Sequence, residues 1–458
     1  MIAVVIAAPL VASLLALPIR ALDLRRYARL GLALIAAVLP LSLIGKVDPL
    51  SLLFVGIIST LSFLATVFST GIFSIDWGVG EAVWSRKSVY FILLGGFWSA
   101  MLFAVLATNY SFLWLGISMT TLATAFLVGF SGEPEALEAA WKYLVLCSVG
   151  IAFALLGILA LASVAGTLSW TDIGAHPATP LARIAIVLMT IGFATKAGLV
   201  PMHSWLPDAH SKAPAPVSAL LSGVLISCSL YAIMRVAGTA AAFGNAGLFQ
   251  EILLVFGAAS TIVAGILMLV QYDLKRLLAY STVEHAGLVA LALGFGGSLG
   301  LFAALFHVLN HALAKAAAFF SAGIVQRSRA TTSLAELHGL WSTRSGRLLL
   351  AAVTALCGLP PFGLFVSELL ILAAGIAAHQ WFALSIGIVG IMLAFVALTR
   401  ATIEIEGGRS PQHSGRVFPA LSFDAAVVVL GLALVAAIVP WTGAGDTLRA
   451  IASGIGRF

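Results

Sequence analysis

The stretch Ala194–Pro216, ATKAGLVPMHSWLPDAHSKAPAP, decides how this chain folds, because it places charged and helix-breaking residues between two long apolar runs. Lys196 lies inside the first apolar run, and Pro201 and Pro207 follow it closely. Proline removes a backbone donor and clashes with the preceding turn, so it interrupts a helix. The stretch therefore predicts a broken helix with a charged side chain beside the break.

The chain as a whole is too apolar for a water-soluble protein. Of its 458 residues, 61% are hydrophobic and 9% are charged, whereas soluble domains carry about 25% charged residues. Apolar runs of about 20 residues recur, each long enough to cross a bilayer as a helix. The first run lacks the features of a cleavable signal peptide and is interpreted as a retained span. We predict an all-α integral membrane protein with about 14 transmembrane helices in a single membrane domain.

Basic residues along the chain indicate how it is oriented. Loops on the cytoplasmic side of membrane proteins collect Lys and Arg, so the net charge of +6 reflects orientation and does not indicate a nucleic-acid partner. Outer segments hold fewer basic residues, among them Lys46 and Arg235. We therefore expect both termini outside. The predicted inner loops contain Arg20, Arg25, Arg26, Arg29, Arg86, Lys87, Lys275, Arg276, Arg327, Arg329, Arg344, Arg347, Arg400, Arg409 and Arg416.

A second span is also interrupted by proline, at GLPPFGLFVSE (Gly358–Glu368), which contains Pro360 and Pro361. The two broken spans lie five spans apart and so cross the membrane in opposite directions. Paired broken helices are typical of inverted-repeat transporters, although a kinked packing helix would explain either break alone. The predicted organisation is a first inverted repeat over 88–239, a second over 247–400, and flanking helices over 1–73 and 422–440.

Lys196 is the first candidate for moving charge. It lies about thirteen residues into its span, close to mid-depth at a rise of about 1.5 Å per residue. A charged side chain at the bilayer centre costs about 2.5–3.5 kcal/mol. We interpret Lys196 as a residue that takes and releases a proton; the alternative is a lysine that snorkels to an interface or forms a structural ion pair.

The stretch HVLNHALAK sets His307, His311 and Lys315 at successive i, i+4 positions, on one helix face, with Asn310 nearby. Imidazole titrates near neutral pH, so this stripe can relay protons. Metal ligation is a weaker alternative, because no carboxylate or thiol accompanies the two histidines on the same helix. A hydrogen-bonded core histidine would explain either residue alone.

The other intramembrane ionisable residues are further candidates. Glu284 and His285 lie two to three turns inside the tenth span, and Glu368 ends the second break. An intramembrane carboxylate pairs with a basic neighbour or lies in a hydrated cavity. The first break adds polar residues that either handle protons or hold the broken helix together: His203, Asp208 and His210.

Motifs of covalent and redox chemistry are absent from the sequence: we find no phosphate-binding loop, dinucleotide fingerprint, CxxC pair or nucleophile elbow. Cys147, Cys228 and Cys357 lie in apolar runs without metal-ligand spacing. We expect no catalytic residue, no cofactor and no metal site in this chain.

Four stretches resemble one known family: ATKAGLVPMHSWLPDAHSKAPAPVSALLSG, DLKRLLAYSTVEHAG, HVLNHALAKAAAFFSAG and LPPFGLFVSELLIL. They are similar to the antiporter-like, proton-translocating membrane subunits of complex I and the group 4 hydrogenases, which are related to Mrp antiporter subunits. A further stretch, EALEAAWKYLVLCSVGIAFALLGILAL, most resembles the F component of hydrogenase-4.

The resemblance implies fourteen helices with two inverted five-helix repeats, broken helices 7 and 12, and a hydrated polar axis at mid-membrane. Lys196 matches the lysine on the broken seventh helix of the family, and Glu368 matches the ionisable residue on the broken twelfth. His307, His311 and Lys315 match the polar eleventh helix.

The chain departs from the family pattern in its first half. Ser118 stands where the family usually has a glutamate that pairs with the seventh-helix lysine, and Ser227 stands at a position that is often basic. Three explanations follow: a neighbouring subunit supplies the acid, Lys196 is mostly neutral, or the first half has lost pumping.

The sequence therefore predicts a proton-translocating subunit of a complex I-like or hydrogenase-4-like oxidoreductase in a bacterial or archaeal cytoplasmic membrane. Its expected partners are other membrane subunits, iron–sulfur-bearing peripheral subunits and membrane lipid, with redox centres outside this chain. The alternatives are an energy-coupling subunit of a non-redox system (inorganic-carbon uptake or cation/proton antiport) and a membrane scaffold that has lost transport.

Overall fold

The computed structural model describes residues 1–17, 22–76, 86–407 and 420–455, and these residues are predominantly helical. The predicted loop residues Arg20, Arg409 and Arg416 lie outside them. The α-helices in chain order are α1 Ile2–Leu15, α2 Leu22–Val38, α3 Pro49–Asp76, α4 Arg86–Val105, α5 Tyr110–Val128, α6 Pro134–Ala165, α7 Pro180–Ala197, α8 Trp205–Lys212, α9 Ala215–Leu220, α10 Ile226–Ala242, α11 Ala246–Leu269, α12 Leu274–Phe295, α13 Gly297–Arg329, α14 Arg344–Leu356, α15 Gly363–Ala377, α16 Trp381–Glu406, α17 Ala420–Ala436 and α18 Gly443–Ile455.

The described helices confirm the prediction of an all-α membrane protein. Eleven helical segments are long and apolar enough to cross a membrane, and three shorter apolar helices (α1, α15 and α17) accompany them. Together they correspond to the predicted spans. A helix satisfies its backbone hydrogen bonds internally, so an apolar chain can cross lipid in this form. The amphipathic helix α18 was not predicted.

The helices divide into a buried centre and an exposed periphery. The segment that contains α9 and α10 is buried along its membrane length, as is α12, and α13 is nearly so. By contrast, less than half of the membrane window of α6, α11 and α16 is buried. Polar residues on the central helices are therefore shielded from lipid by the surrounding helices.

Small residues bring α6 and α7 into close contact. A Cβ atom on Gly192 of α7 would lie 2.4 Å from the backbone nitrogen of Ala154 on α6. A Cβ atom on Gly150 of α6 would likewise overlap the side chain of Thr195 on α7. Such glycines let membrane helices approach closely. The last turn of α7, which carries Lys196, is consequently held against α6.

The seventh span is broken as predicted, but the two prolines have different roles. Helix α7 ends at Ala197, followed by Gly198 with a φ of +73°, and α8 begins at Trp205. Pro201 lies in this interruption, whereas Pro207 lies in the first turn of α8. The prediction that Pro207 breaks the helix is wrong, because the first N–H groups of a helix have no intrahelical acceptor and proline loses nothing there.

The twelfth span is broken between α14 and α15, with Pro360 and Pro361 in the interruption. Glu368 does not end this break as predicted; it lies in the second turn of α15. The eighth span carries an irregularity that the sequence did not indicate, a π-helical segment, Leu221–Leu225, between α9 and α10. Such segments are frequent at functional sites.

Two basic residues assigned to loops are instead buried in helices. Lys275 lies in the first turn of α12, and its Nζ donates to the carbonyl oxygen of Ala213 at 2.6 Å, where α8 ends. Arg235 lies in α10 and is also buried. Basic groups near a helix C-terminus stabilise its free carbonyls. These two residues hold neighbouring helices together. They are therefore weak evidence for the orientation of the chain in the membrane.

Arg235 ties α10 to the start of α3. Its guanidinium donates to Asp48 Oδ1 at 2.6 Å and to Ser51 Oγ at 2.9 Å, and its Nε donates to Tyr231 Oη at 3.0 Å. Asp48 precedes α3 and lies outside the spans. Burial raises the pKa of Asp48, but the Arg235 charge and the hydrogen bonds from Ser51 lower it by more, so its pKa lies below the ordinary value.

We predict that Asp48→Asn destabilises the detergent-solubilised protein by about 2 kcal/mol at pH 7, because it removes a charged acceptor from a buried guanidinium. The carboxylate stabilises the fold above its unfolded pKa of about 3.9, and this contribution is lost as the pH falls through the lower folded value. The difference in melting temperature between wild type and variant should therefore shrink below about pH 4. A difference independent of pH would contradict this role.

Candidate functional site

Most of the ionisable residues singled out from the sequence are buried in the centre of the molecule. Seven of them have side chains shielded from solvent and lie on α7, α12, α13 and α15: Lys196, Glu284, His285, His307, His311, Lys315 and Glu368. Charged groups at membrane depth require partners or hydration. Their contacts therefore determine what the site can do.

Three histidines of the second half form a connected cluster. His285 Nδ1 lies 3.2 Å from His307 Nε2, and His307 Nδ1 lies 3.0 Å from the hydroxyl of Ser367 on α15. The ring of His311 lies 5.3 Å from that of His285. A neutral imidazole both donates and accepts a hydrogen bond. The cluster thus links α12, α13 and α15 through groups that can exchange protons.

Lys315 and Glu284 place an amine and a carboxyl group at the edge of this cluster. The Lys315 ammonium donates to the carbonyl oxygen of Leu278 at 3.0 Å and to the hydroxyl of Ser281, both on α12. Glu284 is close enough to Lys315 to interact with it electrostatically. One Glu284 oxygen lies 3.6 Å from His285 Nδ1. A carboxylate, an amine and imidazoles therefore adjoin within the buried centre.

Glu368 extends the polar region to the second break. Its carboxyl group packs against Gly358, where a Cβ atom would lie 2.2 Å from Glu368 Oε2. Gly358 has a φ of +60°, which favours glycine. Glu368 also lies within electrostatic range of Glu284. The break therefore leaves room for the buried carboxyl group of Glu368. A side chain at position 358 would overlap it.

Several buried polar atoms of this region have no hydrogen-bond partner among the described residues: His210 Nε2, His285 Nε2, His311 Nε2 and Asn310 Oδ1. Buried polar atoms in proteins are almost always paired, with protein or with ordered water. Buried waters lie where several polar groups converge. These atoms therefore predict ordered water along α8, α12 and α13.

Lys196 has a different environment in the first half. Its Nζ donates to Thr121 Oγ1 at 2.8 Å and to Tyr143 Oη at 2.5 Å. Ser118 donates to the carbonyl oxygen of Trp114 in its own helix. Within the described residues, no ion pair within 4.0 Å involves Lys196. Its partners are hydroxyl groups.

The polar residues of the first break have separate roles. Asp208 pairs with Arg276 of α12 at 2.8 Å and with Lys142 of α6 at 3.3 Å, which favours the structural interpretation for this residue. His210 is buried, with Nδ1 3.3 Å from the carbonyl oxygen of Ser218. His203 is only half-buried, beside the break. Of these three, His210 lies nearest the buried cluster.

Aromatic contacts connect Lys196 with His210. The ring of Tyr143 lies 5.0 Å from that of Trp205, and the ring of Trp205 lies 6.5 Å from that of His210. His210 is in turn within electrostatic range of Lys315. The broken segment α8 thus lies between the lysine of the first half and the cluster of the second.

Sequence reasoning missed the hydroxyl partners of the site. Hydroxyls in apolar spans are common and usually bond to their own helix, so nothing in the sequence distinguished the few that face an ionisable group. The missed residues are Thr121, Tyr143, Ser281 and Ser367.

Comparisons with known proteins agree with this arrangement. The family described as NADH:quinone oxidoreductase/Mrp antiporter, transmembrane, matches residues 107–394. A hydrogenase-4 component F homologue from Methylacidiphilum infernorum is 33% identical over 412 residues, which cover 86% of each chain. The chain therefore belongs to this family of antiporter-like membrane subunits, and the resemblance seen in the sequence is confirmed.

Solved structures show the same fold. A chain of the Mrp complex from Dietzia sp. superposes with a TM-score of 0.83 at 21% identity, covering 100% of this chain and 96% of that one. A chain of respiratory complex I from Thermus thermophilus superposes with a TM-score of 0.80 at 25% identity, covering 98% and 100%. Both neighbours are chains of multisubunit membrane complexes.

We predict that Gly358→Ala lowers the free energy of unfolding by about 1–2 kcal/mol or more, because alanine is strained at this φ and its Cβ would overlap the Glu368 carboxyl group. Thermal unfolding in detergent measures the loss. Gly431→Ala on α17 is the matched control, since nothing lies within 4 Å of its Cβ position. Equal melting temperatures for the two variants would contradict the prediction.

Proposed function

We propose that this chain translocates protons across the membrane through a buried axis of lysine, histidine and glutamate, as one subunit of a larger complex. The single observation that carries the proposal is the contiguous buried cluster of His285, His307 and His311 with its flanking carboxylates and lysine. Such groups are expensive inside a membrane protein and mark ion pathways.

The second half supplies the densest part of this pathway. Hydrogen bonds run from His285 through His307 to Ser367, the residue directly before Glu368. Imidazoles exchange protons near neutral pH, and the unpartnered atoms of His285 and His311 are positions at which water would extend the chain of donors and acceptors. Protons would move between Lys315 and Glu368 through these groups.

The first half would join this pathway through α8. Lys196 contacts Tyr143, which packs on Trp205, and His210 lies between Trp205 and the second-half cluster. We further propose that the first inverted repeat covers 88–239 and the second 247–400, so that α7 and α14–α15 are equivalent broken helices. In this arrangement each repeat contributes one helix break with an ionisable residue beside it, Lys196 in the first repeat and Glu368 in the second.

The proposed parent complex is a complex I-like or hydrogenase-4-like oxidoreductase. The similarity to a hydrogenase-4 component F homologue over most of both chains supports it, and favours it over a non-redox energy-coupling role. The redox centres would lie in iron–sulfur-bearing peripheral subunits, and the chain would sit in a bacterial or archaeal cytoplasmic membrane with both termini outside.

We predict that Lys196→Ala and Glu368→Gln each lower proton translocation, on the order of a hundredfold, because a positioned proton carrier is removed. The measurement is proton flux, read by an entrapped pH dye, in vesicles that contain the purified complex. Assembly should be retained, as judged by co-purification.

Exposed residues of the same types provide matched controls. Lys46→Ala and Glu138→Gln change a surface lysine and a surface glutamate, which are exposed, and should leave the flux unchanged. Unaltered flux in both Lys196→Ala and Glu368→Gln would instead favour a membrane scaffold.

The parent complex can be tested separately by purifying the tagged chain from native membranes under mild conditions. We expect partner subunits with the visible absorbance and paramagnetic resonance signals of iron–sulfur clusters. If the chain is recovered with a bicarbonate-handling partner and without such clusters, the oxidoreductase assignment is overturned. Proton translocation would still be decided by the flux measurement.

A further inference from the structure

We propose that Lys196 is held by an uncharged cage of hydroxyl groups, in which Tyr143 takes the place of a carboxylate counter-ion. The inference deepens the proposed function, on which it rests for the role of Lys196 in transport. It assigns to Tyr143, a residue of α6, a positioning role that its place in an apolar span does not indicate.

The cage closes around the ammonium from two helices. Thr121 of α5 and Tyr143 of α6 accept hydrogen bonds from Lys196 Nζ at 2.8 Å and 2.5 Å. Nζ lies 4.5 Å from the centre of the Tyr143 ring, on the side of its hydroxyl group and not over the ring face. Tyr143 thus contacts the lysine through its hydroxyl oxygen.

When Lys196 is protonated, the hydrogen-bond directions show a cage that solvates the ammonium without relaying its proton. An ammonium only donates, so the hydroxyls of Thr121 and Tyr143 must accept from it. Tyr143 then directs its own hydrogen to Thr124 Oγ1 at 2.5 Å, and Thr124 donates to the carbonyl oxygen of Thr120 at 2.6 Å. The chain ends at a carbonyl oxygen, which has no proton to pass on. Protons would therefore reach Lys196 through its third N–H.

Among the described residues, the other groups within electrostatic range of Lys196 carry no fixed negative charge. The ionisable groups within electrostatic range are the thiols of Cys147 on α6 and Cys228 on α10. On α5, Ser118 lies one turn before Thr121 with its hydroxyl directed to its own helix. A carboxylate would add a direct attraction between opposite charges that a neutral hydroxyl group lacks. The hydroxyl cage therefore holds the ammonium less tightly than a carboxylate would.

A purely packing role for Tyr143 is the alternative, since its ring also contacts Trp205 at 5.0 Å. Tyr143→Phe separates the two roles, because phenylalanine keeps the ring and its packing but removes the accepting oxygen. If the cage solvates Lys196, the ammonium loses an acceptor and releases its proton at lower pH. If Tyr143 only packs, the pH dependence of transport stays as in the wild type.

The test measures proton flux against pH in vesicles that contain the complex. We expect Tyr143→Phe to lower the pH of half-maximal flux by about one to two units. In that background Ser118→Glu should return the midpoint toward the wild-type pH by supplying a carboxylate near the cage, whereas the neutral isostere Ser118→Gln should not. Tyr90→Phe, which removes a hydroxyl that contacts Ser69 elsewhere in the buried interior, is the matched control.

A second measurement does not depend on transport. A double-mutant cycle on melting temperature compares Tyr143→Phe, Lys196→Met and the double variant. Non-additive effects are expected, because each change removes the same hydrogen bond. Additive effects, or an unshifted pH profile in Tyr143→Phe, would overturn the cage. Absence of flux in the wild type would overturn the proposed function, and the cycle would still decide whether Tyr143 holds Lys196.

Discussion

The cost of placing ionisable side chains at membrane depth is the constraint on which this structure depends. An isolated charge inside an apolar helix would be destabilising by several kcal/mol, so each must find partners among neighbouring helices. The fold meets this requirement by surrounding α9–α10, α12 and α13 with more exposed helices such as α6, α11 and α16. Lipid then contacts apolar side chains, and the polar groups contact one another.

The two halves meet this constraint in different ways. In the second half a carboxylate, an amine and three imidazoles adjoin, and Glu368 occupies space that Gly358 leaves free at the helix break. In the first half Lys196 meets the hydroxyls of Thr121 and Tyr143. A carboxylate attracts an ammonium group through its full charge, whereas a hydroxyl group attracts it only through its dipole. The two halves therefore stabilise their buried lysines with different groups.

Some of the site could be predicted because its signals are local. A buried lysine, a histidine pair at i, i+4 and two proline breaks are each visible within a few consecutive residues, and all were predicted. The prediction for Pro207 was wrong because proline is tolerated in the first turn of a helix, and Pro207 lies in the first turn of α8. The π-helical segment Leu221–Leu225 could not be predicted, because no local sequence pattern marks it.

The sequence by itself determined the membrane location, the helical class, the family and the list of ionisable residues, because hydropathy and short motifs depend only on which residues follow one another. Tertiary structure decided which of these residues meet. Lys196 and Tyr143 come together because the small residues of α6 and α7 hold the last turn of α7 against α6. Contacts between helices far apart in the chain depend on packing geometry, and no local pattern encodes them.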